Sequence, residues 1–217
     1  MDLVGFNESK KQICKYLIAL ILIHFSYVQG DVLEIFKTTE SVIIHEVLEE
    51  ANKNIFLPEL VRFELLNENP SLIPTLAQWQ YNDWHSYDVS LTLGKLINGF
   101  ETQSINGPSF TIVALKEGKS IGSISLDQEG EVEFADLWGK GPWLGSFHVI
   151  PEERNNGIGH ELGEIALTIA MRLGYTQVNF FTSNFSNVEK YLRKGAQIVE
   201  IRSFRGHMIT IMKIALT

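Results

Sequence analysis

The sequence predicts an α/β chain of the α+β kind, a mixed sheet of about seven strands preceded by a helical N-terminal extension. Three observations carry that expectation. From residue 58 onward helical and strand periodicities follow one another in the order β-α-α-β-β-β-α-β-α-β-β. Phe110 to Leu115 and Ile121 to Leu126 flank Lys116-Glu117-Gly118-Lys119, a short Gly turn between two apolar runs, which is a hairpin signal. Finally, 45% of the 217 residues are hydrophobic, enough to bury a core. That excludes wholesale disorder, a fibrous repeat and a low-complexity chain.

Taken in order, the first element to place is the stretch Tyr16 to Val28, an apolar run preceded by Lys10, Lys11 and Lys15. Its layout is that of a secretory signal, with Val28-Gln29-Gly30 as a small-residue cleavage site, and it is short for a membrane span. Asp2, Glu8, His24 and Ser26 fit that reading poorly. A packed amphipathic helix, a peripheral membrane contact through 16–28 and a tail left by an early start codon stay open beside it. From Asp31 to Asn54 the positions Val32, Ile35, Phe36, Val42, Ile43, Val47 and Leu48 read as one or two amphipathic helices. Pro58 closes this extension, and residues 59–217 form the main domain.

Leu60 to Leu66 reads as a strand, broken by Asn67-Glu68-Asn69-Pro70, which opens a helix over Leu72 to Trp84. A second helix spans Ser90 to Phe100, and the loop Asn106-Gly107-Pro108 leads into the hairpin. Trp143 to Ile150 is a strand stopped by Pro151. A long helix follows from Gly159 to Leu173, with Leu162, Ile165, Ala166, Ile169, Ala170 and Leu173 on one buried face. After Gly174 come a strand at Gln177 to Thr182, a short helix at Asn187 to Lys194, and two strands at Gln197 to Arg202 and Met208 to Leu216, joined around Arg205-Gly206.

The charge balance narrows function. With 26 acidic against 18 basic residues the net charge is −8, unsuited to a nucleic-acid partner, which needs a basic face to neutralise phosphate. Cys14 is the single cysteine, which rules out an intramolecular disulfide and a cysteine zinc cage. The six His are scattered without metal-ligand spacing.

Chemistry concentrates in Val149-Ile150-Pro151-Glu152-Glu153-Arg154-Asn155-Asn156-Gly157-Ile158-Gly159. An apolar strand runs into a Gly-containing turn and a helix starts at once. Such a turn lets backbone approach an anion, and the helix start offers unpaired N–H groups to a pyrophosphate; it also serves as a plain strand-to-helix turn. No Lys-Ser/Thr follows, as a P-loop requires, and the three-glycine dinucleotide fingerprint is missing.

Arg154-Asn155-Asn156-Gly157-Ile158-Gly159, with Thr182, Asn184 and Tyr191-Leu192-Arg193-Lys194-Gly195-Ala196 behind it, resembles the GNAT superfamily of N-acetyltransferases over roughly residue 60 to the end. The resemblance implies a mostly antiparallel sheet flanked by about four helices. It also implies acetyl-CoA as co-substrate without a metal, and acetyl transfer to a primary amine of a small molecule or peptide by direct attack in a ternary complex. Phe147 and Val149 would line the pantetheine arm. Arg154, Asn155, Asn156, Gly157, Ile158, Gly159 and His160 would hold the pyrophosphate, with Asn184 and Asn187 also on the cofactor. Tyr191 would be the general acid. Ala196 departs from the aromatic that usually follows the late-helix Gly.

For a proton acceptor the strand offers Ser146 and His148, with Glu133 and Asp136 ahead of it. Trp79, Tyr81, Trp84 and His85, with Asp83, Tyr87 and Asp88 close by, suit a cationic amine or, alternatively, simply a helix core. The readings that compete are a CoA-sensing module without turnover and transfer of another acyl group. Donor supply implies a cytoplasmic enzyme, and a homodimer stays open.

Overall fold

The computed structural model describes residues 39–53, 61–103, 109–128, 130, 132–137 and 139–216. The chain divides into two compact units, Met1–Val42 and Ile43–Thr217. The described part of the first, residues 39–42, is helical. The apolar stretch 16–28, with its signal, membrane and packed-helix readings, lies outside the described residues. Everything below concerns the second unit.

Among the described residues there are five α-helices and seven strands: α1 (39–53), β1 (Val61–Leu65), α2 (Ile73–Trp84), α3 (Leu93–Gln103), β2 (Phe110–Lys116), β3 (Lys119–Asp127), β4 (Trp143–Val149), α4 (Ile158–Arg172), β5 (Gln177–Thr182), α5 (Phe185–Arg193), β6 (Gln197–Phe204) and β7 (His207–Ala215). The strands form one sheet in the order β1-β2-β3-β4-β5-β7-β6. Every neighbouring pair is antiparallel except β4 and β5. That exception follows from α4, the crossover helix that carries the chain back to start β5 alongside β4.

Four helix starts differ from the periodicity reading: α3 opens at Leu93 rather than Ser90 and α4 at Ile158 rather than Gly159, and α2 and α5 shift as well. Pro70–Leu72 is a 3-10 turn, so α2 opens at Ile73. The late helix starts at Phe185 rather than Asn187, because the Asn184 side chain caps it: Oδ1 accepts from the Ser186 N–H at 3.0 Å and from Ser186 Oγ at 2.7 Å. Residues 39–53 are one continuous helix, with Ile44, Val47 and Leu48 buried. At its end Asn52 takes over the role of a neighbouring strand. Its side chain donates to the Phe63 C=O and accepts from the Phe63 N–H, both at 2.9 Å, which satisfies part of the β1 edge.

The core lies on both faces of the sheet. On one, Ile158, Leu162, Ile165, Ala166, Ile169 and Ala170 of α4 pack against Ile112, Ala114, Ile124 and Leu126 of β2 and β3. Each large aliphatic side chain buried this way contributes about 1.5–3 kcal/mol. On the other, Ile73, Leu76, Ala77 and Phe100 of α2 and α3 cover Val113 and Leu115. Phe134, Trp143, Phe204, Ile209 and Ile211 form a third cluster, with Gly130 close enough to Trp143 that a Cβ there would meet the indole at 2.7 Å.

Two features open a cleft in the middle of the sheet. First, β4 and β5 share one paired position, Trp143 with Asn179, where the Asn179 N–H donates to the Pro142 C=O at 2.8 Å. Second, β4 carries a bulge: Gly145 pairs with Ser125 and His148 with Ser123, so β4 takes three steps where β3 takes two. Ser146 absorbs the extra residue at φ 46°. A bulge bends and twists its strand, and here the strands separate beyond Trp143.

Candidate active site

The cleft between β4 and β5 is a cavity of about 900 Å³. Its walls come from the start of α4, from α5, from β4 and β5, and from the end of α2 with the loop after it. The N-terminal wall of α4 is shaped by two glycines. Gly157 sits at φ 85° as the residue that starts the helix, a left-handed conformation that costs a side-chain-bearing residue about 1–2 kcal/mol. Gly159 needs space rather than freedom, since a Cβ there would stand 3.1 Å from Phe147 Cζ and 3.5 Å from Val149 Cγ2. Phe147, 46% exposed, therefore lies with Val149 on the α4 side of β4. Arg154 donates from Nε to the Val149 C=O at 2.9 Å and so ties the turn back to its own strand.

The N–H groups of His160 and Glu161 both donate to the Gly157 C=O, at 2.9 and 3.0 Å. Those of Ile158 and Gly159 stand ahead of this first bond of the ladder and point out of the helix end. The His160 N–H, expected as an anion donor, is thus already used. Its ring instead meets Lys194 Nζ at 3.2 Å and Glu164 at 3.5 Å. Arg154, Lys190 and Lys194 line this end, with His160 and Glu164 beside them. Asn184 and Asn187 line it too. The Oδ1 of Asn184 is spent on the helix cap, and Asn187 Oδ1 accepts from Lys190 Nζ at 3.3 Å. Asn155, at φ 65°, and Asn156, whose Nδ2 donates to Glu153 at 3.4 Å, shape the turn. Neither lines the cavity.

Tyr191 projects from α5 into the cleft, its ring edge-on to Phe180 at 4.9 Å. Burial raises its pKa above the usual phenol range, so the hydroxyl stays protonated at neutral pH. Ala196, with Val188, Phe180 and Met212, packs beneath it.

Ser146 lines the cavity at the bulge, and its C=O accepts from Ser123 Oγ at 2.9 Å. His148 faces α2, opposite Phe147 and Val149. Its Nδ1 lies 2.8 Å from Asp83 Oδ2, and its ring stacks on Trp79 at 4.8 Å and 19°; Asp83 lines the cavity and His148 itself does not. Strict alternation along the strand fails at Ser146, because the bulge breaks the period of two there. Asp136 and Glu133 are not available as proton acceptors in the cavity. Asp136 is held by Arg202 at 3.0 Å and Glu133 by Arg205 at 3.0 Å; neither lines the cleft.

The four aromatic positions of α2 separate. Trp84 lines the cavity, packed on Tyr87 at 5.3 Å and Phe181 at 5.4 Å. Trp79 supports His148 from behind. Tyr81 and His85 stack on each other at 4.7 Å away from the cavity walls, one helical turn apart and on another face of the helix. The structure adds residues that sequence spacing did not single out: Gln80, Asp127, Gly145, Phe181, Phe204 and Arg205. Arg205 bridges Asp88 at 2.8 Å and Glu133 at 3.0 Å and stacks over Phe204 at 4.5 Å. Asp88 is held below its ordinary pKa first by its Ser90 hydrogen bonds and further by Arg205. Apart from the turn signal at Arg205-Gly206, nothing in the spacing points to these positions. Among the described residues no group of three or more His, Cys, Asp or Glu could hold a metal ion, and no helix is long and apolar enough to cross a membrane.

The family model "Acetyltransferase (GNAT) family" matches residues 69–195, more than half of the chain. No curated protein matches by sequence. Among solved structures, a GCN5-related N-acetyltransferase from Kribbella flavida is 18% identical with a TM-score of 0.57, over 73% of this chain and 99% of that one. An acetyltransferase of the GNAT family from Streptococcus pneumoniae is 17% identical with a TM-score of 0.53, over 73% and 99%. An aminoglycoside 6'-N-acetyltransferase complexed with coenzyme A is 14% identical with a TM-score of 0.55, over 71% and 97%. At these identities the likeness is one of fold.

Proposed function

The chain belongs to the GNAT acetyltransferase family, and from that premise we propose that it is an acetyl-CoA-dependent N-acetyltransferase acting on a primary amine of a small molecule or peptide. One observation carries the reading: where β4 and β5 part, the cleft has three cations, Arg154, Lys190 and Lys194, beside the start of α4, against the single carboxylate of Glu164 there among the described residues. Away from it, the end of α2 and the loop after it bring Asp83, Trp84, Tyr87 and Asp88 to the wall, with Arg205 paired to Asp88. A polyanionic donor and a cationic acceptor would then meet at the β4 bulge.

The residues fit coenzyme A. The Gly159 site, which a Cβ would close against Phe147, and the N–H groups of Ile158 and Gly159 suit a pyrophosphate at a helix start. The relative solved with coenzyme A supports the same assignment. Acetyl-CoA, when bound, supplies the activated thioester.

Everything else falls to the chain. The backbone edge of β4 beyond Trp143, unpaired with β5, would take the pantetheine arm as an added strand, beside Phe147 and Val149. An N–H of that edge would polarise the thioester carbonyl. His148 Nδ1 lies 2.8 Å from Asp83 Oδ2, a pairing in which Nε2 would be the nitrogen left for a proton. That nitrogen would take the amine proton through water, past Ser146 at the cavity wall. Tyr191, kept neutral by burial, would donate its proton to the departing thiolate. A cytoplasmic supply of the donor would favour work in the cytoplasm.

The test is acetyl-CoA binding by calorimetry on the wild type and Gly157→Trp, then thiol release on the same samples with a panel of amines. Micromolar binding lost in the variant, with amine-dependent thiol release, supports the reading. Binding without release would leave a coenzyme A sensor; absence of binding would sink both.

A further inference from the structure

Six polar side chains are buried among the described residues: Gln80, Thr111, Ser123, Ser125, Asn179 and Thr210. Four of them have partners in the fold. Thr111 bonds Gln103 and Ser125 at 2.7 and 2.8 Å, Ser123 donates to the Ser146 C=O at 2.9 Å, and Asn179 donates to the Gly141 C=O at 3.2 Å. Thr210 has no partner and lies outside the cleft. Gln80 differs from all of these. It is only 7% exposed, its carboxamide makes no hydrogen bond to a described residue, and it lines the cleft.

The position is otherwise an apolar one. The other buried residues of α2 are Ile73, Leu76 and Ala77, so packing alone would place an aliphatic side chain there. Neighbours on the helix do not use the amide. On the exposed face Gln78 pairs with Asn82 one turn on, at 2.8 Å. One turn on from Gln80 stand Trp84, packed on Tyr87 and Phe181, and Asp83, which lies 2.8 Å from His148 Nδ1. A buried amide without a partner costs stability, and native folds leave few of them. One that opens onto a cavity wall is accounted for by what enters the cavity.

The chemistry of the group selects its ligand. A carboxamide presents N–H donors and a carbonyl acceptor side by side. A cation would satisfy only the carbonyl, an anion only the N–H groups, and an alkyl chain neither. Another carboxamide satisfies both at once, with an N–H to C=O bond in each direction. Residues one helical turn apart stand about 5–6 Å from each other, so a group held by Gln80 lies within a few bonds of an amine held beside Asp83. Resting on the transferase reading above, we propose that Gln80 receives a carboxamide of the acceptor, so that the site selects amines carrying that group over alkylamines of the same shape.

The experiment is calorimetric titration of the full chain, with and without coenzyme A. Glycinamide, 3-aminopropanamide and 4-aminobutanamide are each set against the branched alkylamine of the same shape, isobutylamine, isopentylamine and isohexylamine respectively. Gln80→Met keeps the length of the side chain and removes its hydrogen bonding, and Gln80→Leu repeats the comparison with a differently shaped apolar group. The expected result is that at least one carboxamide binds about tenfold or more tighter than its alkylamine, and that both substitutions erase this while alkylamine binding stays within about twofold. Without ligand, Gln80→Met should melt at the wild-type temperature or above it, since no native hydrogen bond is lost; a merely structural glutamine would lower it. Equal binding within each pair, no binding of any of these amines, a preference that survives either substitution, or a melting temperature lowered by both overturns the proposal. Because the titrations need no turnover, a preference lost with Gln80 in a chain that shows neither coenzyme A binding nor thiol release would count against the transferase reading alone.

Discussion

Replacing Tyr191 by Phe removes one hydroxyl and leaves the ring. That ring packs edge-on to Phe180 at 4.9 Å and closes the cluster of Phe180, Val188, Ala196 and Met212, contacts that Phe reproduces. The hydroxyl makes no hydrogen bond to a described side chain, so stability should move by less than about 1 kcal/mol. The rate should respond quite differently. A departing thiolate leaves less readily without a proton donor, and general acids contribute about 10²–10⁴-fold. A thiol is a fair leaving group, which puts the loss in kcat at the lower end, about 10²-fold, with KM for acetyl-CoA unchanged. The pH profile gives an independent readout. Burial lifts the phenol above its ordinary value of 10.0, so it remains a proton donor throughout the neutral range. The wild-type rate should fall only above about pH 10, and that limb should be missing in Tyr191→Phe. The same shift acts on stability. The neutral phenol's contribution is complete below the unfolded value and is lost as pH rises from there through the folded one. Steady-state thiol release from pH 6 to 10.5, with thermal melts, tests all three statements. A kcat within about threefold of wild type at unchanged KM would refute the role. A loss accompanied by collapse of the melting temperature would show that the residue acts through packing.

Four further outcomes follow from the geometry. Gly157→Ala places a Cβ at φ 85° and should lower stability by about 1–2 kcal/mol in urea titrations, while weakening acetyl-CoA binding. Asn184→Ala removes the cap of α5 and should lose about 1 kcal/mol by the same assay. His148→Gln breaks the pair with Asp83 and should lower kcat/KM for the amine by up to about 10²-fold without affecting acetyl-CoA affinity. Acid should destabilise the fold through Asp136, Glu153 and Asp88. Each is held below its ordinary value of 3.8, 4.5 and 3.8, first by hydrogen bonds from Arg202, Lys116 and Ser90 respectively. Their contributions are present above those values and lost as pH falls through the lower folded ones. Melting temperatures should therefore decline below pH 4.5, and a flat profile from pH 6 to 3 would contradict this.

The elements were legible in the sequence because their causes are local. The apolar period of α4, the Gly turn of the β2–β3 hairpin and the strand-to-helix turn through Gly157 and Gly159 depend on residues within a few positions of one another. The start of α5 was displaced by a single local cap, Asn184 with Ser186, which periodicity does not register. Tertiary structure decided the rest. Whether Trp84 or Tyr81 faces the cleft depends on which face of α2 meets β4. The bulge at Ser146 arises from pairing with β3, and its effect is to turn an alternating strand into one wall of a cavity. His148 and Asp83 are 65 residues apart in the chain, and Arg205 and Asp88 are 117 apart. Spacing along a chain encodes helical faces and turns, but it does not encode which distant groups the folded sheet brings within hydrogen-bonding distance.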